Sequence, residues 1–118
     1  MAIVHLFAGI PVANYGEAAA WYERLLGRPP DMRPHETEAV WRIADGGSVY
    51  VVEDGERAGL GLLTLIVDDI GALVAELTSR GLAPGPVESI SRVGRKAVIV
   101  DPDGNTITFA QIEDTGKG

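Results

Sequence analysis

Val98-Ile99-Val100-Asp101-Pro102-Asp103-Gly104-Asn105-Thr106-Ile107-Thr108-Phe109 reads as strand, tight turn, strand. Asp101 suits the first position of a type I turn, where its carboxylate can accept a backbone N–H. Pro102 pre-sets φ for the second position, and Gly104 can turn left-handed to close a hairpin with a bulge. After the turn, Ile107 and Phe109 alternate with Thr106 and Thr108. One side of this strand therefore belongs to a core and the other is free to meet something else. What Thr108 meets is the functional question for the chain.

The bulk numbers narrow the classes. A length of 118 residues suits one domain with its own core and little room for extensions. Apolar content of 46% and charged content of 23% are those of an ordinary globular protein. A net charge of −7 argues against nucleic acid and anionic membranes as partners, since both need a basic surface. There is no cysteine, which excludes disulfides, zinc–thiolate sites and cysteine nucleophiles. No basic segment followed by an apolar run opens the chain, and no apolar run approaches the roughly 18 residues of a membrane span. A cytoplasmic location is the expectation.

Upstream of the hairpin the chain falls into two similar halves. Ile3 to Ile10 is strand-like and is interrupted by Gly9 and Pro11. A helix follows, with Asn14 as N-cap, Glu17 three residues on and Gly27 as its stop; Ala18, Trp21, Tyr22 and Leu25 share one face. A weak strand near Met32, a better one at Ala39–Ile43, the turn Asp45-Gly46-Gly47 and a strand at Ser48–Glu53 complete the first half. His35 is placed in a Pro-flanked loop. After a charged linker the pattern restarts. Leu60 to Val67 is a strand, and a helix capped by Asp68 or Asp69 runs to about Arg80, with Leu73, Val74 and Leu77 on its apolar side and Gly81 as its stop. A weak strand near Val87, a strong one at Ala97–Val100 and the hairpin strand Asn105–Gln111 follow, and the residues from Glu113 onward are expected to be a frayed tail. Val12 maps to Val67, Gly27 to Gly81 and Asp45 to Asp101, at offsets of 55, 54 and 56 residues. A near-constant offset across three structural roles marks an internal repeat. The expectation is a single domain over residues 1–118, with one βαβββ module at about 3–53 and a second at about 60–111.

The hairpin resembles the last hairpin of the vicinal oxygen chelate superfamily, which includes glyoxalase I, bleomycin-resistance proteins and extradiol dioxygenases. The doubled module, covering about Val4 to Gln111, carries the same resemblance. It implies an α+β fold: two tandem βαβββ modules forming a curled mixed-sheet cup, helices on the convex side, the cup often completed by a second subunit. It also implies a test. Metal-binding members show D-P-D-G-N-x-x-E, with the Glu as a ligand of a divalent metal that acts as Lewis acid and template. Here Thr108 stands in that place. The first-strand ligands of such members sit five residues before the Val of the V-x-D loop, which gives Phe7 and Leu62; the remaining position falls on Val51 or Val52. None of these supplies a strong metal-binding group. His5 lies two residues before Phe7 and is the one rival ligand.

The cup that results is apolar, with Phe7, Leu62 and Ile66 lining it, Trp41 and Tyr50 as further candidates, and hydroxyls from Thr64, Thr106 and Thr108. Few polar anchors in an apolar concavity is the usual form of a small-molecule site, and rings there would stack on a flat ligand. Arg92, Arg95 and Lys96 form a basic cluster near the sixth strand, either a solvated edge or an anion-recognising rim. Asp68-Asp69 and Asp101/Asp103 read as cap and turn residues rather than catalytic pairs. The leading expectation is a homodimeric protein that binds or sequesters an apolar or aromatic small molecule with no cofactor. The alternatives are a divalent-metal-dependent lyase or dioxygenase of the same superfamily, and a subunit with an interaction role only.

Overall fold

The computed structural model describes residues 1–113; apart from Glu113, the expected frayed tail lies outside the described residues. Eight strands and two helices follow in the order β1 (Leu6–Val12), α1 (Tyr15–Leu26), β2 (Met32–His35), β3 (Glu38–Ala44), β4 (Gly47–Glu53), β5 (Leu62–Ile66), α2 (Ile70–Ser79), β6 (Glu88–Ile90), β7 (Gly94–Val100) and β8 (Thr106–Ile112). They form two four-stranded mixed sheets, ordered β1-β4-β3-β2 and β5-β8-β7-β6, that do not close on each other. In each, the first strand pairs parallel with the last and the rest is antiparallel. This is the α+β architecture of two βαβββ modules.

The helices form where their caps and apolar stripes dictate. Asn14 adopts an extended backbone and its side chain accepts from the Glu17 N–H at 3.0 Å; Gly27, at φ 80°, closes α1. Such a cap contributes about 1 kcal/mol. Asp69, not Asp68, caps α2 by accepting from Ala72 N–H, while Arg80 and Gly81 end it. Ala18, Trp21, Tyr22 and Leu25 are buried against the first sheet, and Ile70 and Leu77 against the second.

Most strand boundaries move by one to three residues from the reading of the sequence, and two of the changes alter what the strand contains. The first strand begins at Leu6 rather than Ile3 and runs through both Gly9 and Pro11 to Val12. Pro11 is tolerated because β1 is an edge strand, where a missing N–H breaks no central ladder. His35 closes β2 instead of sitting in a loop, opposite Glu38.

The repeat is also visible in a pair of equivalent hydrogen bonds. The Glu53 carboxylate at the end of β4 accepts from the N–H of Tyr15, the first residue of α1, at 3.1 Å. The Gln111 amide oxygen in β8 accepts from Ile70 N–H, the first of α2, at 2.8 Å. Each module thus ties its last strand to the start of its own helix. The offset between the modules grows from 55 (Tyr15 to Ile70) to 58 (Glu53 to Gln111). The hairpin turns account for the difference, with two residues between Ala44 and Gly47 and five between Val100 and Thr106.

Those three extra residues join the halves. The Asp101 carboxylate accepts from the backbone of Asp103 and Asn105, as a turn-initiating Asp should, and also from the Tyr22 hydroxyl of α1 at 2.8 Å. Asn105 is fully buried; its amide donates to Pro11 O and Asp101 Oδ2 and accepts from Gly61 N–H, at 2.7 to 2.8 Å. On the helix side Arg80 donates to the carbonyls of Arg24 and Leu25, which end α1. Burial, and then the Asp101 bond, push the Tyr22 hydroxyl far above the ordinary tyrosine range.

Candidate functional site

Strand alternation assigns each side chain a face. In β1, Ala8, Ile10 and Val12 point toward α1, which leaves Phe7, Gly9 and Pro11 on the opposite, concave face. Their partners in β4 are Ser48, Tyr50 and Val52. In the second module Leu63, Ile107 and Phe109 are core, while Leu62, Thr64 and Ile66 share the concave face with Thr106, Thr108 and Ala110. Val98 and Val100 of β7 continue those rows.

Seven of the eight residues expected to line the cup therefore face it: Phe7, Tyr50, Leu62, Thr64, Ile66, Thr106 and Thr108. Trp41 does not. It pairs with Val49 on the core face, is fully buried, donates its indole N–H to Arg28 O at 2.9 Å and packs near Tyr22. Its place in β3 puts it one residue out of phase with the concave positions Val40 and Arg42, a parity that could be fixed only once the β3–β4 register was known.

The two concave faces differ in chemistry. That of the first module is aromatic. The rings of His5 and Phe7 lie 4.7 Å apart and those of Phe7 and Tyr50 6.5 Å apart. His5 Nε2 is 2.9 Å from Ser48 Oγ, which holds the imidazole at the head of this row. Beyond Tyr50 a cleft of about 470 Å³ opens, floored by Gly9, Pro11 and Val52 and walled by Arg57 and Leu60 of the linker. Arg57 pairs with Asp54 at the rim. The face of the second module is aliphatic and hydroxylic, with Leu62 84%, Ile66 62% and Val100 55% exposed.

Reading the sequence alone missed Gly9, Pro11 and the linker residues Arg57 and Leu60 as parts of the site. Alternation from Phe7 would have carried through Gly9 and Pro11, but those residue types read as the end of a strand.

The ladders also settle the fourth of the positions where metal-binding relatives carry ligands. Thr108 lies two residues beyond the partner of Leu62. The residue two beyond the partner of Phe7 is Tyr50. Val51, one of the two expected residues, is core, and Val52 is one concave position too far along. The three-residue shortening of the first turn caused the misplacement. The four positions thus hold Phe7, Tyr50, Leu62 and Thr108, a set without imidazole or carboxylate that does not fit a divalent cation. Among the described residues no three His, Asp or Glu side chains gather closely enough to hold one. The basic cluster is similarly occupied in part: Arg95 reaches Gln111 at 3.3 Å and Glu113 at 3.6 Å. No helix among the described residues is long and apolar enough to cross a membrane.

Known proteins share this fold. A glyoxalase/bleomycin resistance protein from Catenulispora acidiphila superimposes with a TM-score of 0.88 at 42% identity, over 93% of this chain and 99% of that one. TnmS3, an antibiotic binding protein from Streptomyces sp. CB03234, gives 0.76 at 29% identity, over 96% and 99%. A bleomycin-binding protein complexed with bleomycin gives 0.77 at 22% identity, over 92% and 98%, a likeness of fold. No curated protein matches the sequence. The family described as the Glyoxalase/Bleomycin resistance protein/Dioxygenase superfamily matches residues 2–109. Fold, doubled module and sequence agree, and the chain belongs to the glyoxalase/bleomycin resistance protein/dioxygenase superfamily.

Proposed function

We propose that this protein binds a small, largely apolar or aromatic molecule on its concave face and holds it without a metal and without making or breaking a bond. The observation that carries this reading is the set Phe7, Tyr50, Leu62 and Thr108 at the four inward positions. Rings and aliphatic groups exclude water and stack; one hydroxyl orients. No residue of the set can polarise a substrate oxygen as a Lewis acid would. The likeness to TnmS3, an antibiotic binding protein, supports sequestration as the biological use.

The site is completed by a second copy of the chain. Leu62, Ile66 and Val100 form an aliphatic face too exposed to remain wet, and it lies on the side that must close over a ligand. The expected particle is a homodimer, read by sedimentation velocity, and Ile66→Glu is expected to shift it to monomer and to weaken binding together.

The test of the main reading has two arms. Protein purified without a polyhistidine tag is analysed for metal, and its melting temperature is followed against a set of planar aromatic natural products. Stabilisation by a subset of the compounds with no stoichiometric divalent ion is the expected result. One divalent ion per chain would replace this reading with a metal-dependent lyase or dioxygenase.

A further inference from the structure

Gly9 has no backbone reason to be glycine. Among the described residues five glycines adopt positive φ, and Gly9 is not one of them. It lies in the middle of a strand, where glycine weakens the sheet relative to a residue with a side chain. What requires it is Tyr50, its ladder partner in β4. A Cβ on Gly9 would run into Cζ, Oη and Cε2 of the Tyr50 ring. The phenol lies down across its neighbouring strand because Gly9 leaves that space empty.

Both residues line the cleft of about 470 Å³. Among the described residues the Tyr50 hydroxyl makes no hydrogen bond, and it is not sealed from solvent either, since the one buried hydroxyl without a partner is that of Tyr15. Phe7, two residues from Gly9 on the same strand, borders the ring at 6.5 Å between centroids, so a side chain at position 9 would lift the phenol off β1. The remaining direction is into the cleft.

We infer that Gly9 is a specificity-determining residue: by letting the Tyr50 ring recline, it sets the depth of the cleft and selects ligands with a flat conjugated ring system. Such a ligand stacks on the exposed face of the reclined Tyr50 ring, with the free phenol O–H available to an acceptor on its edge. A globular apolar ligand of equal volume gains neither contact. This rests on the small-molecule reading above.

The test uses two probes on the full chain, 1-aminoanthracene (flat, followed by its fluorescence) and 1-adamantanol (globular, followed by calorimetry). Gly9→Ala is expected to weaken 1-aminoanthracene at least tenfold, because the raised ring fills the cleft. Tyr50→Leu, which keeps Gly9 and disturbs the strand least, is expected to weaken 1-aminoanthracene at least tenfold and to leave 1-adamantanol unchanged or tighter. Tyr50→Phe is expected to keep most of the affinity for 1-aminoanthracene. If Tyr50→Leu affects both probes equally or neither, or if folded Gly9→Ala binds 1-aminoanthracene as the natural protein does, the role assigned to Gly9 falls while ligand binding stands. If neither probe binds the unaltered protein, the reading of the cleft itself falls, and the inference with it.

Discussion

Tyr22 shows how much one hydroxyl can do. It is buried in α1, yet its partner Asp101 belongs to the other module. Replacing it by Phe removes a donor from a buried carboxylate, which costs about 1–3 kcal/mol; urea unfolding at pH 7 measures it. The same bond predicts a pH response. The folded state holds the Tyr22 proton far more tightly than the unfolded chain does, because of burial first and Asp101 second. Its contribution is therefore complete below the unfolded value of about 10 and is lost as pH rises above it, at up to about 1.4 kcal/mol per pH unit. Stability measured from pH 9 to 11 should fall in the natural protein, and Tyr22→Phe should remove most of that slope. At this scale the sequence was informative about type and poor about direction. The helical face of Tyr22 followed from periodicity, and the turn role of Asp101 from the Asp-Pro-Asp-Gly run. That the two touch, 79 residues apart, depends on how the modules dock.

At the level of elements, caps and turns were the most legible features because they are local chemistry. Asn14, Gly27 and Gly81 stand where their residue types place them. Asn14→Ala is expected to cost about 1 kcal/mol, seen as a lower urea midpoint with an unchanged slope. Strand parity was not legible wherever a turn length was misjudged. A slip of one residue exchanges the faces of a strand: the short first turn leaves Val51 and Val52 as the expected residues where the ladder puts Tyr50, and the facing of Trp41 follows only from the β3–β4 register. In β8 the long turn was read correctly, and Thr106 and Thr108 were placed on the correct face. Asp31 offers a local check on the β2–β3 region: the Arg42 N–H and then the Arg28 guanidinium hold its carboxyl below the ordinary carboxylate range. Arg28→Met should raise it, as carboxyl-carbon NMR titration would record.

For the molecule as a whole, the weight falls on Asn105. Among the described residues it is the one buried side chain that bonds to β1, to the approach to β5 and to its own turn. Asn105→Ala leaves the part-buried Gly61 N–H and Pro11 carbonyl without their partners, and a loss of about 2 kcal/mol or more is expected from penalties of about 1–3 kcal/mol per orphaned group. Because Gly61 and Pro11 also border the cleft, binding of 1-aminoanthracene should fall in the same variant even where it remains folded. Asp45→Ala, in the exposed two-residue turn of the other module, should change neither measurement. The doubled architecture was readable from the repeat, but the way the second hairpin grips the first module was not, since nothing in a local pattern tells which partner a buried amide will find.

The aromatic residues are unevenly shared. Trp21, Trp41, Tyr15, Tyr22 and Tyr50 all precede the linker, and the chain has no other tryptophan or tyrosine. Tyrosine and tryptophan emission therefore originates in one half of the protein and senses the other only through contacts such as the Tyr22–Asp101 bond. A melt followed by tryptophan light alone would look like a single event even if the second sheet had come apart earlier. Only its disagreement with a backbone signal would reveal that the halves had parted.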